Sequence, residues 1–147
     1  MTTPRLIQFA KQVGKYCDHR FAPLAQEHSF SMREINVLLF LANNPEFDTA
    51  RDITEYRGIS KSQVSQAVDF LTEQGYLRRT VDREDRRVVH LAITPDGAPI
   101  AQAAQDIQAD CGRALLTDLS EEQQSQLQVL WDIVLDNGAR LAGEITR

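Results

Sequence analysis

The sequence lacks the long apolar runs and cysteine motifs that mark several classes of protein. No apolar stretch approaches the roughly 20 residues that a membrane span needs, and none of signal-peptide type follows the N-terminus. The two cysteines, Cys17 and Cys111, are far apart and form no Cys-x-x-Cys pair, which argues against a disulfide framework and a structural zinc site. These absences predict a cytoplasmic protein without a membrane partner.

Signature motifs of the common enzyme classes are also missing. The chain has no Gly-x-x-x-x-Gly-Lys phosphate loop, no Gly-x-Ser-x-Gly nucleophile elbow, no His-Glu-x-x-His zinc motif and no glycine-rich dinucleotide loop. We therefore predict no catalytic residues, no cofactor and no bound metal, and we do not expect an enzyme.

An overall positive charge is missing as well, since the 147 residues carry a formal net charge of −5. For a nucleic-acid partner, however, the distribution of charge matters more than the sum. Residues 51–87 hold eight basic and seven acidic side chains, and within them residues 78–87 hold five basic and three acidic ones. The middle of the chain is therefore the part suited to face phosphate groups, and the acidic ends are expected to face away from them.

Amphipathic helices account for most of what the sequence does contain. Apolar residues recur at intervals of three and four, and Ser or Thr caps precede several of the runs. We predict helices at 5–28, 31–42, 50–56, 60–74, 94–117 and 120–142. Pro23 predicts a kink or break within the first helix, and Thr94 and Pro95 predict the start of the fifth.

Between the fourth and fifth helices the residue pattern changes to that of strands. Residues 76–81 and 88–93 are predicted to be strands, and the charged turn 82–87 joins them into a β-hairpin. His90 lies within the second strand and is expected to be structural. The predicted fold class is therefore mainly α with a small β-hairpin.

The two short helices at 50–56 and 60–74, with the turn 57–59 between them, predict a helix-turn-helix, and the hairpin that follows predicts its winged form. In helix 60–74 the apolar residues recur at core spacing, which leaves small and amide side chains outward near its start. Such side chains let a helix enter the major groove of double-stranded DNA and bond to base edges or phosphates. The predicted contacts are Lys61, Ser62, Gln63, Ser65 and Gln66.

The hairpin, residues 78–93, is expected to act as a DNA-binding wing. Its basic tip can place arginine in the minor groove, where the potential of DNA is most negative. We predict Arg83, Arg86 and Arg87 as contacts, with Asp85 pairing with Arg87 to hold the tip in shape. The net acidity leaves open a winged helix used for protein–protein contact, although small polar side chains are poor anchors for a protein interface.

Four segments between residues 50 and 100 form a recognisable pattern. They are residues 59–65, 71–79, 82–87 and 91–97. The most distinctive part is an Asp-x-x-Asp-Arg-Arg wing tip that leads into a Leu-x-(Leu/Ile)-Thr-x-x-Gly junction between strand and helix. This pattern resembles the MarR (multiple antibiotic resistance regulator) family, and the order of helices is similar over nearly the whole chain.

The resemblance implies a bacterial transcription regulator, most often a repressor, that binds a palindromic operator as a homodimer. Helix 60–74 would lie in the major groove and the wing at the minor groove. The chain would be one domain over 1–147, in which 1–30 and 95–147 form a helical dimerisation region and 31–94 form the DNA-binding lobe. Many members respond to a small-molecule effector through its different affinity for two states.

Some members of that family sense peroxide through a cysteine in the first helix, and Cys17 is therefore a candidate redox sensor. The role requires some exposure and a lowered thiol pKa. Metal-sensing members are a poorer match, because the fifth helix of this chain contains no histidine. A thiol-based regulator that uses Cys17 thus stays open as an alternative to a ligand-responsive one.

Overall fold

A computed structural model describes residues 3–145 as helices joined by short loops, with one antiparallel hairpin. The elements are α1 (Thr3–Glu27), α2 (Met32–Asn43), α3 (Ala50–Arg57), α4 (Lys61–Glu73), β1 (Leu77–Val81), β2 (Val89–Ile93), α5 (Ala98–Leu115) and α6 (Glu121–Ile145). The predicted fold class is confirmed. Within residues 3–145 no helix combines the length and the apolar character needed to cross a bilayer.

Reciprocal capping boxes determine where α2 and α3 begin. The backbone N–H of Ser31 donates to the carboxylate of Glu34 at 2.6 Å, and the backbone N–H of Thr49 donates to Asp52 at 3.0 Å. In each case the capping hydroxyl accepts a hydrogen bond from the first turn of the helix. Both helix starts are thus determined by residues within the first turn, and the second of them begins the helix-turn-helix.

The chain leaves α4 through Gly75, which has a φ of 81°. A glycine tolerates this left-handed conformation without steric cost. The N–H of Gly75 donates to the carbonyl of Thr72 at 3.0 Å, and the N–H of Tyr76 donates to that of Leu71 at 2.8 Å. This helix-ending turn satisfies the last carbonyl groups of α4 and directs the chain into β1.

The predicted kink or break at Pro23 is not a break, because α1 runs without interruption from Thr3 to Glu27. A proline removes one hydrogen bond from a helix and crowds the preceding turn. Here Phe21 and Leu24, on either side of the proline, are buried in the core. Their packing holds the last turns of α1 in place despite the missing hydrogen bond.

The fifth helix begins later than predicted, at Ala98 and not at Thr94. The hydroxyl of Thr94 donates to the carbonyl of Gly75 at 2.6 Å and accepts from the N–H of Gly97 at 3.1 Å. Its backbone N–H donates to the carbonyl of Tyr76 at 3.0 Å. These bonds hold residues 95–97 as a turn against the end of α4, and the helix starts only after that turn.

The core of the unit formed by residues 3–111 centres on α2. Its fully buried side chains come from α2, α3 and α4, and the largest are Ile35, Val37, Leu38, Ile53, Val64 and Leu71. Leu77 of β1 and Leu91 of β2 are also buried and attach the hairpin to the same core. The antiparallel register pairs Leu77 with Ile93 and Arg79 with Leu91.

A second compact unit begins at residue 112 and is described to residue 145. It consists of the end of α5, a short turn and α6. A capping box starts α6, since the N–H of Ser120 donates to the side-chain carbonyl of Gln123 at 2.8 Å and Ser120 Oγ accepts from the N–H of Gln123 at 3.2 Å.

Candidate nucleic-acid interface

Helix α4 has a buried apolar face and an exposed polar face. Val64, Ala67, Val68 and Leu71 are buried at helical spacing, as the sequence pattern predicted. The five predicted contact residues are all exposed near the start of the helix, and they are Lys61, Ser62, Gln63, Ser65 and Gln66. Their outward surface is free to meet a macromolecular partner.

The N-terminus of α4 is capped by Ser60, but a full capping box with Gln63 is only partly formed. Ser60 Oγ accepts a hydrogen bond from the N–H of Gln63 at 3.3 Å. The amide side chain of Gln63 bonds to the hydroxyl of Ser60 at 3.2 Å, and no reciprocal bond to the Ser60 backbone is found within the described chain. Gln63 therefore lies back against the start of the helix in this state.

Arg33, at the start of α2, takes part in the exposed face of α4. Its guanidinium donates to the side-chain carbonyl of Gln66 at 2.5 Å, and the amide nitrogen of Gln66 donates to the hydroxyl of Ser62 at 3.4 Å. This contact joins residues 33 positions apart, so no local pattern could have indicated it. Arg33 adds a positive charge to the predicted contact surface.

A cavity of about 440 Å³ opens beside this face, between the two helices of the helix-turn-helix and the hairpin. Its lining residues are Ala50, Arg51, Thr54, Lys61, Ser65, Val68, Arg79, Val89 and Leu91. Three of them are cationic, and Arg79 is paired with the exposed carboxylate of Asp69. A cavity with this lining suits an anionic group, either a phosphate of DNA or a small acid.

The tip of the hairpin is held by the side chain of Asp82. Asp82 Oδ1 accepts hydrogen bonds from the backbone N–H groups of Glu84 and Asp85, each at 2.8 Å. The N–H of Asp82 donates to the carbonyl of Val88 at 2.9 Å and closes the base of the tip. The N–H of Asp85 and a contact with His90 lower the pKa of Asp82 to about 2.

Asp85 pairs with Arg87 across the tip. Its carboxylate accepts from the backbone N–H of Arg87 at 3.0 Å and from the guanidinium at 3.1 and 3.3 Å. The Arg87 side chain lowers the pKa of Asp85 and yet is itself 91% exposed. Arg83 and Arg86 are exposed too, and no acidic partner for either is found within residues 3–145. The three predicted wing arginines therefore project into solvent.

His90, expected only to be structural, lies between two carboxylates. Its Nδ1 is 2.8 Å from Asp48 Oδ1, in the loop before α3, and its Nε2 is 3.1 Å from Asp82 Oδ2. The hydrogen bonds to Asp48 and then to Asp82 raise the pKa of His90. Sequence pattern alone could not indicate this cluster, because it depends on how the hairpin packs against the start of α3.

The candidate redox sensor Cys17 is half-buried and lies against Cys111, which is buried. Burial, followed by a hydrogen bond between the two thiols, raises the pKa of Cys17. A raised pKa reduces the thiolate fraction that reacts with peroxide, and this argues against the redox hypothesis. Within the described chain no group of three or more His, Cys, Asp or Glu side chains is arranged to hold a metal.

Cys17 is therefore expected to react slowly with thiol reagents. In the folded protein at neutral pH, alkylation of Cys17 by iodoacetamide should be at least about tenfold slower than in urea. Burial limits access of the reagent to the thiol, and the raised pKa lowers the fraction of thiolate. Peptide mass spectrometry at timed intervals measures the rate at each cysteine. Equal rates in folded and unfolded protein, or peroxide-induced release from DNA that Cys17→Ser abolishes, would restore the sensor hypothesis.

The comparisons with known proteins agree with this geometry. Residues 28–88 match the MarR family, and this range includes the helix-turn-helix and the hairpin tip. The chain is similar to the HTH-type transcriptional regulator PecS of Dickeya dadantii, with 25% identity over 121 residues, which are 81% of this chain and 73% of that protein. The matched region is thus the one that carries the candidate interface.

Solved structures show the same fold. A MarR transcriptional regulator from Methanosarcina mazei Go1 superposes with a TM-score of 0.77 at 18% identity, over 95% of this chain and 99% of that one. Staphylococcus aureus MepR, in a complex with DNA, superposes with a TM-score of 0.69 at 19% identity, over 92% of this chain and 96% of that one. The helix order and the hairpin of the present chain are those of the winged helix-turn-helix fold.

Proposed function

We propose that this chain is a regulator of the MarR family that binds a specific palindromic DNA site as a homodimer and represses transcription until a small-molecule effector releases it. The placement of two surfaces on one lobe gives the strongest support to this proposal. The exposed polar face of α4 and the arginine-bearing hairpin tip belong to the same lobe and are built on one core. A winged helix with both features is suited to read a groove and hold the neighbouring backbone.

Base recognition is proposed for the start of α4. A glutamine amide can pair with adenine through N6 and N7, and serine hydroxyls can donate or accept toward several bases. Gln66 and Ser65 are exposed and short enough for close approach of the helix to the groove floor. Lys61 and Arg33 flank them and are suited to the phosphates on either side.

The wing is proposed to contact the minor groove. Arg83 and Arg86 project from the tip without acidic partners among residues 3–145, so they are available to phosphate or groove. Arg87 keeps its bond to Asp85, which shapes the tip around it. Because contacts of this kind release counterions, binding is expected to weaken steeply with salt.

Exposed apolar side chains on α1 and α6 support the proposed homodimer. They are Leu6, Ile7, Phe9, Leu127, Val129, Leu130, Trp131, Ile133, Val134, Leu135 and Leu141. A single chain that leaves so much large apolar surface in water is poorly stabilised, and an interface between copies would bury it. Two-fold symmetry would then present two α4 helices to successive major grooves, about 34 Å apart. We propose the helices outside residues 31–94 as the dimerisation region of one domain.

Fluorescence anisotropy with the full chain tests the proposal directly. The probes are labelled duplexes from the region upstream of its own coding sequence and a random duplex of equal length, each titrated with salt. We expect an upstream duplex to bind at least about 1,000-fold more tightly than the random one, with a strong salt dependence. Equal binding to the upstream and random duplexes, and to duplexes tiled over the genome, would refute sequence-specific regulation. The absence of any DNA binding would favour the protein-interaction alternative.

A further inference from the structure

His90 connects the hairpin tip to the start of the helix-turn-helix. On one side its ring meets Asp82, the residue that caps the tip through the N–H groups of Glu84 and Asp85. On the other side it meets Asp48, in the loop that leads to α3. A single ring thus links the part of the wing that carries the arginines to the element that precedes α3.

Backbone contacts keep the two sides of this link in register. The N–H of Leu91 donates to the carbonyl of Asp48 at 2.7 Å. An isolated antiparallel bridge pairs His90 with Thr49, the N-cap of α3. The strand β2 is therefore fixed to the loop before α3, and the contact between His90 and Asp82 joins the tip to that fixed part through side chains.

We propose that His90 is a positioning residue for DNA binding, which as an imidazolium donates to Asp48 and Asp82 together and so sets the direction of the wing arginines. The inference rests on the proposed function, because it concerns how the wing meets DNA. A charged ring has two N–H donors and can satisfy both carboxylates at the observed distances. A neutral ring has one donor, and its other nitrogen would turn a lone pair toward a carboxylate oxygen.

The charged groups that act on the ring come from both elements packed against it. Asp48, on the loop before α3, and Asp82, in the hairpin tip, both favour the charged ring, and the backbone N–H of Asp85 in turn favours the charged form of Asp82. Because the pKa of His90 is raised in the folded protein, the contribution of the link is complete below the ordinary histidine pKa of about 6.5. It is lost as the pH rises through the raised value.

Two substitutions separate this role from a simple effect of charge. His90→Gln keeps a donor but removes the titrating group. Asp82→Asn keeps the Oδ1 acceptor for the N–H groups of Glu84 and Asp85 but turns an amide donor toward His90. Because Asp82→Asn removes a negative charge near DNA, charge alone predicts tighter binding, whereas the positioning role predicts weaker binding.

The first measurement is the affinity for the labelled upstream duplex at about pH 6 and about pH 8.5, at constant salt. Over this range the wild type is expected to lose about three- to fivefold more affinity than His90→Gln, since the link is a partly exposed ion pair. Asp82→Asn is expected to bind about threefold more weakly than the wild type at about pH 6. Equal pH profiles for wild type and His90→Gln, or tighter binding by Asp82→Asn, would overturn the inference.

A second measurement does not depend on DNA. Nuclear magnetic resonance titration of the His90 ring should give a pKa above the ordinary value in the wild type, a lower one in Asp82→Asn, and amide shifts at Glu84 and Asp85 that follow the same titration. A ring that titrates at the ordinary value would remove the basis of the inference while leaving DNA binding intact. A wild type with the expected ring pKa that binds no DNA would instead overturn the proposed function, and the positioning role with it.

Discussion

Ser65→Glu is expected to lower DNA affinity by about 100-fold or more, since a like charge forced against DNA costs several kcal/mol. Ser65 is exposed on the face of α4 that is proposed to enter the groove, and it also lines the cationic cavity with Lys61 and Arg79. A carboxylate there would face phosphate groups and would compete for the nearby cations. The same anisotropy titration measures the loss.

The matched control is Gln74→Glu, at the exposed C-terminal end of the same helix. It makes the same change of net charge about 13 Å along the helix axis from Ser65 and outside the predicted contact residues. We expect this variant to bind within about twofold of the wild type, because surface charges beyond the screening length of about 10 Å contribute little. If both variants lose affinity equally, the effect belongs to net charge and α4 is not the reading helix.

Gly97→Ala is expected to destabilise the fold by about 2–4 kcal/mol, the range of severe overpacking. A β-carbon at Gly97 would meet the carbonyl oxygen of Tyr76 closer than real β-carbons approach any atom, and it would lie 3.1 Å from Ile93 Cγ2. The backbone cannot yield easily, because that carbonyl also accepts the N–H of Thr94. The substitution therefore forces the turn before α5 away from the end of α4.

Urea unfolding followed by circular dichroism measures this cost. The control is Gly112→Ala, at a position in α5 where an added β-carbon meets nothing within 4 Å. Alanine is the better helix former there, so we expect a change of less than about 1 kcal/mol, toward greater stability. Equal unfolding midpoints for Gly97→Ala and the wild type would show that the junction relaxes, and the packing argument would fail.

Features with a local cause could be predicted from the sequence. The capping residues Ser31 and Thr49 mark real helix starts, since their hydrogen bonds reach only three residues along the chain. The spacing of Val64 and Leu71 correctly separates the buried and exposed faces of α4. The change of residue pattern after Gly75 likewise places both strands within one residue of their observed bounds.

Features that depend on tertiary packing could not be predicted. Arg33 meets Gln66 because α2 packs on α4, and His90 meets Asp48 across 42 positions because the hairpin folds onto the loop before α3. The late start of α5 has the same origin, since Thr94 bonds back to Gly75 and holds residues 95–97 as a turn where the sequence alone predicts the first turn of a helix. The roles of the predicted contact residues stay predictions until DNA binding is measured.

Because the base of the hairpin tip is closed, exposed residues of the tip can change independently of the buried residues beneath it. The bond between Asp82 and Val88 seals the tip, and the buried residues of the hairpin, Leu77 and Leu91, lie below that bond. The side chains at 83, 84, 86 and 87 are exposed, so they can be replaced with little effect on the packing beneath them. Related proteins can therefore change the exposed residues of the wing while selection for stability acts on the buried residues. New binding targets can then arise without a loss of stability.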